Sequence, residues 1–298
     1  MTDAAAREGT RPSLIRDMVM LTKPRIILLL LVTTVAPMFV AGNPTWLLVL
    51  VVVVGGYLMA GGANAVNMYL DRDIDTQMAR TRLRPLPSGR MGPRAVLAFG
   101  VALATAATFL LARFTNVLTA LLALGGFYFY IFVYTRWLKR TTPHNIVIGG
   151  AAGAFPPLVG WASMTGAIDL TAVYLFLIIF YWTPPHFWAL ALLKQRDYGR
   201  AGIPMAPLVW GERQTMLQML WYNVILIALT LLPVTFGAFG VIYLIAAVVL
   251  GGILLVGVLR ILRSREWTRP AWQVYKFSLL YLALLFVAMV VDRKVVIS

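Results

Sequence analysis

Nine stretches of this chain are long and apolar enough to cross a lipid bilayer, and they constrain its fold more than any other feature. About 20 predominantly apolar residues span the roughly 30 Å of hydrocarbon. A backbone inside lipid must satisfy its own hydrogen bonds, which only helices and closed barrels achieve. Runs of this length predict helices, so we expect an all-α integral membrane protein with nine transmembrane helices. The runs cover residues 24–42, 45–70, 94–114, 117–135, 145–163, 170–193, 215–236, 240–260 and 272–291.

The composition agrees with a membrane protein and excludes several other classes. Hydrophobic residues make up 60% of the 298 residues and charged residues only 12%, whereas about a quarter of a soluble domain is charged. The net charge of +15 does not indicate nucleic-acid binding, because the basic residues recur in short connections rather than on one domain. The lack of cysteine in the sequence excludes disulfides, thiolate metal sites and cysteine nucleophiles.

The basic residues are concentrated in every second connection, and this distribution predicts the orientation of the protein in the membrane. All but four of the 26 Lys and Arg residues lie in the N-terminal segment and in every second connection; the exceptions are Arg113, Lys276, Arg293 and Lys294. By the positive-inside rule, the N-terminus and the basic connections face the cytoplasm, as in a bacterial inner membrane. We therefore expect one domain over 1–298, with a cytoplasmic tail at 1–23 and a nine-helix bundle at 24–291.

Two long basic connections of similar texture predict an internal repeat. They read DRDIDTQMARTRLRPLPSGRMGPR from Asp71 and KQRDYGRAGIPMAPLVWGER from Lys194, and they lie four helices apart. This even spacing returns both connections to the same face of the membrane. We therefore expect two four-helix pseudo-repeats, spans 1–4 and 5–8, with one active loop in each and a ninth helix appended.

The end of the second apolar run carries the most informative motif, NAVNMYLDRDID from Asn64 to Asp75. On a helix, Asn67, Asp71 and Asp75 drift only about 40° per step, which places them on one face together with Asn64. Mg²⁺ prefers such oxygen ligands and is usually held together with substrate phosphates. Three of the 11 acidic residues lie between 71 and 75, so a merely solvated helix end is the weaker interpretation. We predict half of a metal–diphosphate site.

Arginines follow this motif closely, and guanidinium groups bind phosphate through paired hydrogen bonds. They are Arg72, Arg80, Arg82, Arg84 and Arg90. Positive-inside topology alone would also place arginines here, so the role of each one stays open. Two prolines in the segment Arg84–Pro87 predict a stiff loop that could close over the site.

The second long connection follows an unusual membrane helix. Pro184 and Pro185 are expected to interrupt the backbone hydrogen bonds in mid-span. His186 follows at a depth where an ionisable side chain is costly and usually has a function. The histidine either contacts an iron porphyrin or bonds to carbonyls that the prolines release. The other wall of the predicted site is formed one to two turns later by Lys194, Asp197, Tyr198 and Arg200.

A glycine-rich segment opens the fifth apolar run. Gly149, Gly150 and Gly153 give this helix a smooth surface. Such a surface either packs closely against a neighbouring helix or leaves room for a flat macrocycle, and packing is the default interpretation.

Taken together, these motifs resemble the UbiA superfamily of intramembrane prenyltransferases. The arrangement of Asn67, Asp71 and Asp75 after the second helix, with a counterpart after the sixth, is typical of the superfamily. The combination of PHFWALAL with AGIPM is similar to its haem-farnesylating branch. The likeness covers nearly the whole chain and includes LTKPRI, NMYLDRDID, RPLPSGR, YTRWLKRTTPHNIVIGG, GAFPPLVGW and DYGRAGIPM.

The resemblance implies a nine-helix fold, dependence on Mg²⁺, and transfer of a farnesyl group from farnesyl diphosphate to a vinyl group of haem B. It implies that Asn67, Asp71 and Asp75 bind the metal and act in catalysis together with Lys194. Where many members carry a second DxxxD motif, this chain has Lys194 and Tyr198, so a lysine could contact the diphosphate in place of a second metal. The implied diphosphate-binding residues are Arg72, Arg82, Arg84, Lys139, Lys194 and Arg200.

Three alternatives stay open at the level of sequence. A related prenyltransferase would act on another aromatic or porphyrin acceptor. A transporter would move haem or lipid without needing farnesyl diphosphate, and an assembly protein would leave the acidic motif without a purpose. The expected partners are the lipid bilayer, the two substrates and, through the resemblance, a haem A synthase or terminal oxidase assembly factors.

Overall fold

The computed structural model describes residues 14–78 and 81–296, and nearly all of them are helical. In this part of the chain, nine helices are long and apolar enough to cross a membrane, and there is no β-strand. The predicted all-α membrane fold with nine spans is confirmed. Spans 1–9 are Pro24–Ala41, Trp46–Leu70, Pro93–Phe114, Val117–Thr141, Asn145–Thr165, Leu170–Leu193, Glu212–Thr235, Val241–Arg263 and Thr268–Val295.

Local sequence explains where several of these helices begin. The Thr45 hydroxyl accepts a hydrogen bond from the backbone N–H of Leu48, and the Asp169 carboxylate accepts one from Ala172. These bonds satisfy N–H groups that lack a partner in the first turn of a helix. Pro93 begins span 3, where the missing N–H of proline costs nothing.

Span 4 extends further than its apolar run predicted. The run ends near residue 135, but the helix continues to Thr141, and its segment Phe129–Leu138 is π-helical. A π-helical segment rotates the residues that follow it and is frequent at functional sites. Basic side chains that we expected in a loop therefore lie on the end of a helix.

Span 6 is one continuous helix, although it contains Pro184 and Pro185. The two prolines donate no backbone hydrogen bond, as expected, yet the helix continues through both of them. Both prolines are buried, and span 6 is the most buried of the nine spans. Its neighbours surround it where two backbone hydrogen bonds are missing.

The segment before span 1 differs from the expected tail. Leu14–Thr22 forms a helix, hereafter the N-terminal helix, which packs on span 2; residues 1–13 of the predicted tail lie outside the described part. The first long connection contains the short helix Arg72–Gln77. The second contains the short helices Gln195–Arg200 and Ala206–Val209.

The nine spans form two rings that meet at the centre of the bundle. Spans 1–5 contact one another in order and span 5 returns to span 1, while spans 6–9 close a second ring. Contacts between spans 5 and 6 and between spans 1 and 9 join the two rings. The four-helix repeat stays a prediction.

Spans 2 and 3 approach each other unusually closely. A methyl group added at Gly62 would lie 2.6 Å from the backbone oxygen of Gly100. Only glycine permits such an approach, because any side chain at this point would push the backbones apart. The contact fixes span 3 against span 2, whose C-terminal end carries the acidic motif.

We expect Gly62→Ala to lower the thermal unfolding temperature of the detergent-purified protein by several degrees. The added methyl meets backbone, which cannot rotate away, and overpacking of this kind costs about 1–3 kcal/mol. Gly252→Ala is the matched control, because a methyl group there meets nothing within 4 Å. Equal losses in the two variants, measured by circular dichroism, would contradict this account of the packing.

Candidate active site

The side chains of Asn67, Asp71 and Asp75, hereafter the Asn67–Asp75 stripe, lie buried at the C-terminal end of span 2. The helical register continues through Asp71, whose N–H donates to the Asn67 carbonyl at 2.9 Å and whose carbonyl accepts from the Asp75 N–H at 2.8 Å. The three side chains therefore share one face, as predicted. Asp71 is only 1% exposed and Asp75 3%. The Asn67 amide donates to Oδ2 of Asp71 at 2.8 Å.

Two cationic side chains neutralise the buried carboxylates. Lys139 Nζ lies 2.5 Å from Oδ2 of Asp71. Arg84 Nη1 donates to both oxygens of Asp75, at 2.8 and 3.1 Å. Burying a charge is costly unless it is paired, so these contacts stabilise the two carboxylates in the buried site. Both partners are among the diphosphate-binding residues that the resemblance implied.

The π-helical end of span 4 forms one wall of the site. Thr135 Oγ1 accepts a hydrogen bond from the Asn67 amide at 3.1 Å, and Lys139 follows one turn later. Arg140 pairs with the exposed Asp73, at 2.7 Å, and its guanidinium lies 3.6 Å from Asp71. Sequence reasoning missed Thr135 and Arg140, because their positions depend on a π-helix that the apolar pattern does not reveal.

Lys23, at the start of span 1, is a further residue that sequence reasoning did not place in the site. Its Nζ donates to Oδ1 of Asn67 at 3.2 Å. The backbone of Lys23 is left-handed, with φ 55°, the single non-glycine residue in the described chain with positive φ. Strained backbone of this kind persists where the surroundings enforce it, often at functional sites. The available signal was its place in the LTKPRI segment.

We predicted that Asn64 would join the stripe, but its side chain bonds elsewhere. Its amide donates to the Thr22 carbonyl at 2.9 Å, at the end of the N-terminal helix. The stripe therefore begins at Asn67. Arg84 and Lys139 balance the two buried carboxylates, and Lys23, where it is protonated, adds a further positive charge that favours an added anion.

The other predicted arginines lie away from the stripe. Arg72 is exposed, lies over the Tyr69 ring at 4.6 Å and donates to the Tyr69 carbonyl. Arg82 is exposed, and in residues 14–78 and 81–296 no ion pair joins it to the stripe. Arg90 pairs with Asp17, and Arg80 lies outside the described residues. A helix turns successive residues by about 100°, so Arg72 cannot share the face of Asp71.

The second predicted wall lies on the same side of the bundle but does not bond to the stripe. Ile74 and Met78 of the first connection belong to the same buried hydrophobic cluster as Ile203 and Met205 of the second. Lys194 and Arg200 are exposed, while Asp197 and Tyr198 are half-buried. Across the ranges that the structure describes, no ion pair or hydrogen bond joins Lys194, Asp197 or Arg200 to the stripe.

His186 packs between spans 6 and 9. Its Nδ1 lies 2.7 Å from the Ser278 hydroxyl, and its ring stacks between Trp182 and Tyr275 at 4.4 and 4.9 Å. The bond to Ser278 replaces the predicted bond to carbonyls released by the prolines. This geometry favours the structural interpretation of the histidine.

The glycines of span 5 divide between packing and open space. Gly149 lies against the Tyr134 ring and Gly150 against Thr183, so packing explains both. A methyl group at Gly153 would meet nothing within 4 Å. Only Gly153 therefore leaves room for another molecule.

Two groups at the rim of the site have shifted pKa values. Burial, and then repulsion from Arg84, lowers the pKa of Lys23 to about 7. The hydrogen bond from Arg140 lowers the pKa of Asp73 to about 2. Asp73 is therefore ionised at neutral pH, whereas part of the Lys23 population is uncharged.

One carboxylate oxygen of the site fits a metal ion. Oδ1 of Asp71 is buried and accepts no hydrogen bond from any residue that the structure describes. Oδ1 of Asn67 is already held by Lys23. The described residues contain no group of three His, Cys, Asp or Glu side chains that could hold a metal. The donor set therefore suits an ion such as Mg²⁺, which takes one or two carboxylates together with waters and phosphates.

The chain belongs to the UbiA prenyltransferase family, which residues 29–289 match. Within it, the chain is similar to proteins named protoheme IX farnesyltransferase. It is 54% identical to the Roseiflexus castenholzii protein over 99% of this chain and 55% of that one. It is 53% identical to the Symbiobacterium thermophilum protein over 93% of this chain and 94% of that one. The chain spans about half the length of the first relatives that it matches.

Solved structures share the fold at low sequence identity. A structure described as a digeranylgeranylglyceryl phosphate synthase has a TM-score of 0.77 at 18% identity and covers 94% of this chain and 98% of that one. A UbiA homolog from Archaeoglobus fulgidus bound to DMAPP and Mg²⁺ has a TM-score of 0.68 at 17% identity, with 92% and 99% covered. These matches establish a UbiA-like fold.

We expect Lys139→Met to lower the free energy of unfolding by about 3 kcal/mol, because it removes the nearest cation from the buried Asp71 carboxylate and leaves the more distant Arg140 guanidinium, 3.6 Å away. The double variant Lys139→Met, Asp71→Asn should recover most of this loss, since neither charge is then buried alone. Lys276→Met is the matched control, because this exposed lysine contacts only the Trp272 ring, and it should cost less than about 1 kcal/mol. Additive losses in chemical unfolding of the double variant would show that the two charges are not coupled.

Proposed function

We propose that this chain transfers the farnesyl group of farnesyl diphosphate to a vinyl group of haem B, with addition of water, to make hydroxyethylfarnesyl haem. The observation that carries the proposal is the buried Asn67–Asp75 stripe with its lysine and arginine partners. Buried carboxylates matched to surplus cations suit a diphosphate and a divalent ion. The names of the relatives support this choice of substrates.

The proposed metal is Mg²⁺, held by Asp71 and Asp75. Asn67 would add a third oxygen once Lys23 releases the amide. When bound, the ion would neutralise charge on the leaving diphosphate. Oδ1 of Asp71, which accepts no hydrogen bond from the described residues, supports this assignment, as does the Mg²⁺ described with the Archaeoglobus fulgidus homolog.

Arg84 and Lys139 are the proposed diphosphate donors of the first loop. Each now donates to a carboxylate and can exchange that oxygen for a phosphate oxygen without moving far. Donors fixed in advance at the point where charge develops lower the barrier, because they need no reorganisation. We add Lys23 to this set because it borders the stripe.

The second loop is the proposed outer wall of the same site. Lys194 would act in catalysis as a further diphosphate contact, together with Arg200. Asp197 and Tyr198 would line this wall. The Asn145 amide, at the start of span 5, donates to the Pro204 carbonyl of this loop at 3.4 Å, which supports its place near the end of span 4.

The proposed reaction needs no nucleophilic side chain. The allylic C–O bond breaks and the diphosphate keeps the electron pair. The π electrons of the vinyl group then form the new C–C bond to the farnesyl cation. Water adds to the resulting cation beside the porphyrin and loses a proton. The role of this chain is to bind, to neutralise charge and to hold the two substrates together.

A haem contact at His186 is the weaker part of the proposal. Nδ1 is held by Ser278, so only Nε2 could face a porphyrin. Open space beside Gly153 supports room for a flat ring near span 5.

The proposed setting is the bacterial inner membrane, with the N-terminus and both active loops on the cytoplasmic side. The distribution of Lys and Arg supports this orientation. A haem A synthase or terminal oxidase assembly factors are the proposed protein partners, since they would receive the product.

The decisive experiment is incubation of the purified protein with haem B, farnesyl diphosphate and Mg²⁺, followed by mass analysis of the haem. We expect a mass gain of one farnesyl group and one hydroxyl. A parallel incubation with 4-hydroxybenzoate tests the rival prenyltransferase activity. Prenylation of that acid alone would select the rival, and movement of haem into vesicles without farnesyl diphosphate would select a transporter.

We expect Asp71→Ala and Asp75→Ala each to reduce the transfer rate by at least about a hundredfold, while insertion in the membrane is unchanged. Asp73→Ala is the matched control, because this carboxylate lies between the other two in sequence but is 58% exposed on its side chain. It should keep most of the activity. Equal losses in all three variants would remove the stripe from the mechanism.

Removal of divalent metal should abolish transfer in the wild-type protein, and added Mg²⁺ should restore it. The measurement is the same haem assay after treatment with a chelator. Full activity in the presence of the chelator would contradict the assignment of Asp71 and Asp75 as metal ligands.

A further inference from the structure

The N-terminal helix has its polar side inward and its apolar side outward. Asp17, Leu21 and Thr22 are buried against the protein. On the opposite side, Ile15 is 75% exposed and Val19 is also exposed. Exposure of large apolar side chains to water is unfavourable, whereas their exposure to lipid is not. The arrangement therefore suits a helix whose outer face lies in a membrane interface.

The end of this helix lies below the cytoplasmic rim of the bundle. The Thr22 carbonyl accepts from Asn64, and its hydroxyl lies 2.9 Å from that of Tyr57. Asn64 precedes the cytoplasmic end of span 2 by six residues, which corresponds to about 9 Å along a helix. The exposed face of the N-terminal helix is therefore at the depth of the lipid interface.

A partly buried ion pair joins this helix to the first loop. Arg90 donates to both oxygens of Asp17 at 3.0 to 3.1 Å. It also donates to the Ser88 hydroxyl at 2.8 Å and to the Leu83 carbonyl at 3.2 Å. One guanidinium thus joins the N-terminal helix to two points of the loop. Asp17 is 3% exposed, so the pair is shielded from water on its acidic side.

The same loop carries Arg84, which holds Asp75 in the candidate site. Residues 81–92 are therefore fixed at two ends, at Asp17 and at Asp75. Leu86 and Met91 of the loop pack with Leu21 in one hydrophobic cluster. Neither Asp17 nor Arg90 contacts the stripe itself.

We propose that the N-terminal helix is a lipid-seated support that holds the loop 81–92 over the site through the Asp17–Arg90 ion pair. Asp17 and Arg90 are positioning residues in this proposal, and the membrane interface is the surface that the apolar face contacts. The loop presents Arg84 to the diphosphate. Loss of this ion pair frees the loop and moves Arg84 away from the diphosphate. The binding of haem B is not affected.

The kinetic test rests on the proposed function and uses the full-length protein in lipid vesicles. Asp17→Asn should raise the KM for farnesyl diphosphate by at least about tenfold, as expected for loss of charge-assisted hydrogen bonds, while the KM for haem B is unchanged. Arg90→Lys should lie between wild type and Asp17→Asn. Asp17→Glu, which keeps the charge, should recover most of the affinity. A loss of kcat with both KM values unchanged would mean a merely structural role and would overturn the proposal.

A second measurement does not depend on activity. Trypsin cleavage after Arg82 reports opening of the loop, because cleavage follows the population of the open form. Asp17→Asn should increase this cleavage about tenfold, whereas the control Asp169→Asn, on the opposite side of the bundle, should not. If wild type lacks transfer activity but cleavage changes as expected, the proposed function fails and the support survives. Unchanged cleavage in Asp17→Asn overturns the support.

The contact with lipid can be tested directly, because the sequence has no cysteine. A fluorophore attached to Ile15→Cys should be quenched by brominated phospholipid in the vesicles. The same label at Arg265→Cys, in the exposed connection between spans 8 and 9, should not be. A label at residue 15 that is quenched only by water-soluble iodide would place the helix in solvent and overturn the proposal.

Discussion

The structure depends on keeping two carboxylates charged where water is scarce. Asp71 and Asp75 are almost fully buried, and each would be costly to ionise without a cation against it. Lys139 and Arg84 supply those cations from span 4 and from the first loop. The ion pairs therefore bind together three parts of the chain, whose apolar contacts in lipid give little preference for one arrangement.

Other features of the fold follow from this requirement. The π-helical segment of span 4 turns Thr135 and Lys139 toward span 2. The contact between Gly62 and Gly100 holds span 2 firmly enough to keep the stripe in place. At the other side, Lys23 reaches Asn67 from a strained backbone, so the start of span 1 also converges on the stripe. A site with surplus cations around carboxylates is suited to exchange one anion for another, as diphosphate binding requires.

The sequence predicted the spans well because hydrophobic length is a local property that needs no knowledge of contacts. It also predicted the shared face of Asn67, Asp71 and Asp75, since helical periodicity is local too. It could not separate Arg84, which reaches Asp75, from Arg72, which turns to Tyr69. Arginine is expected throughout a basic connection, so its abundance does not indicate which of the side chains face the site. Lys23, Thr135 and Arg140 were missed because each reaches the stripe from a distant part of the chain.

The sequence by itself determined the membrane location, the number of spans and the acidic stripe at the end of span 2. The tertiary structure alone decided which cations meet that stripe, that Asn64 and His186 pack rather than face the site, and that Asp17 fastens the first loop. The physical reason is the range of the forces involved. Burial in lipid depends on the composition of each segment, whereas an ion pair depends on a separation of a few ångströms between residues far apart in the chain.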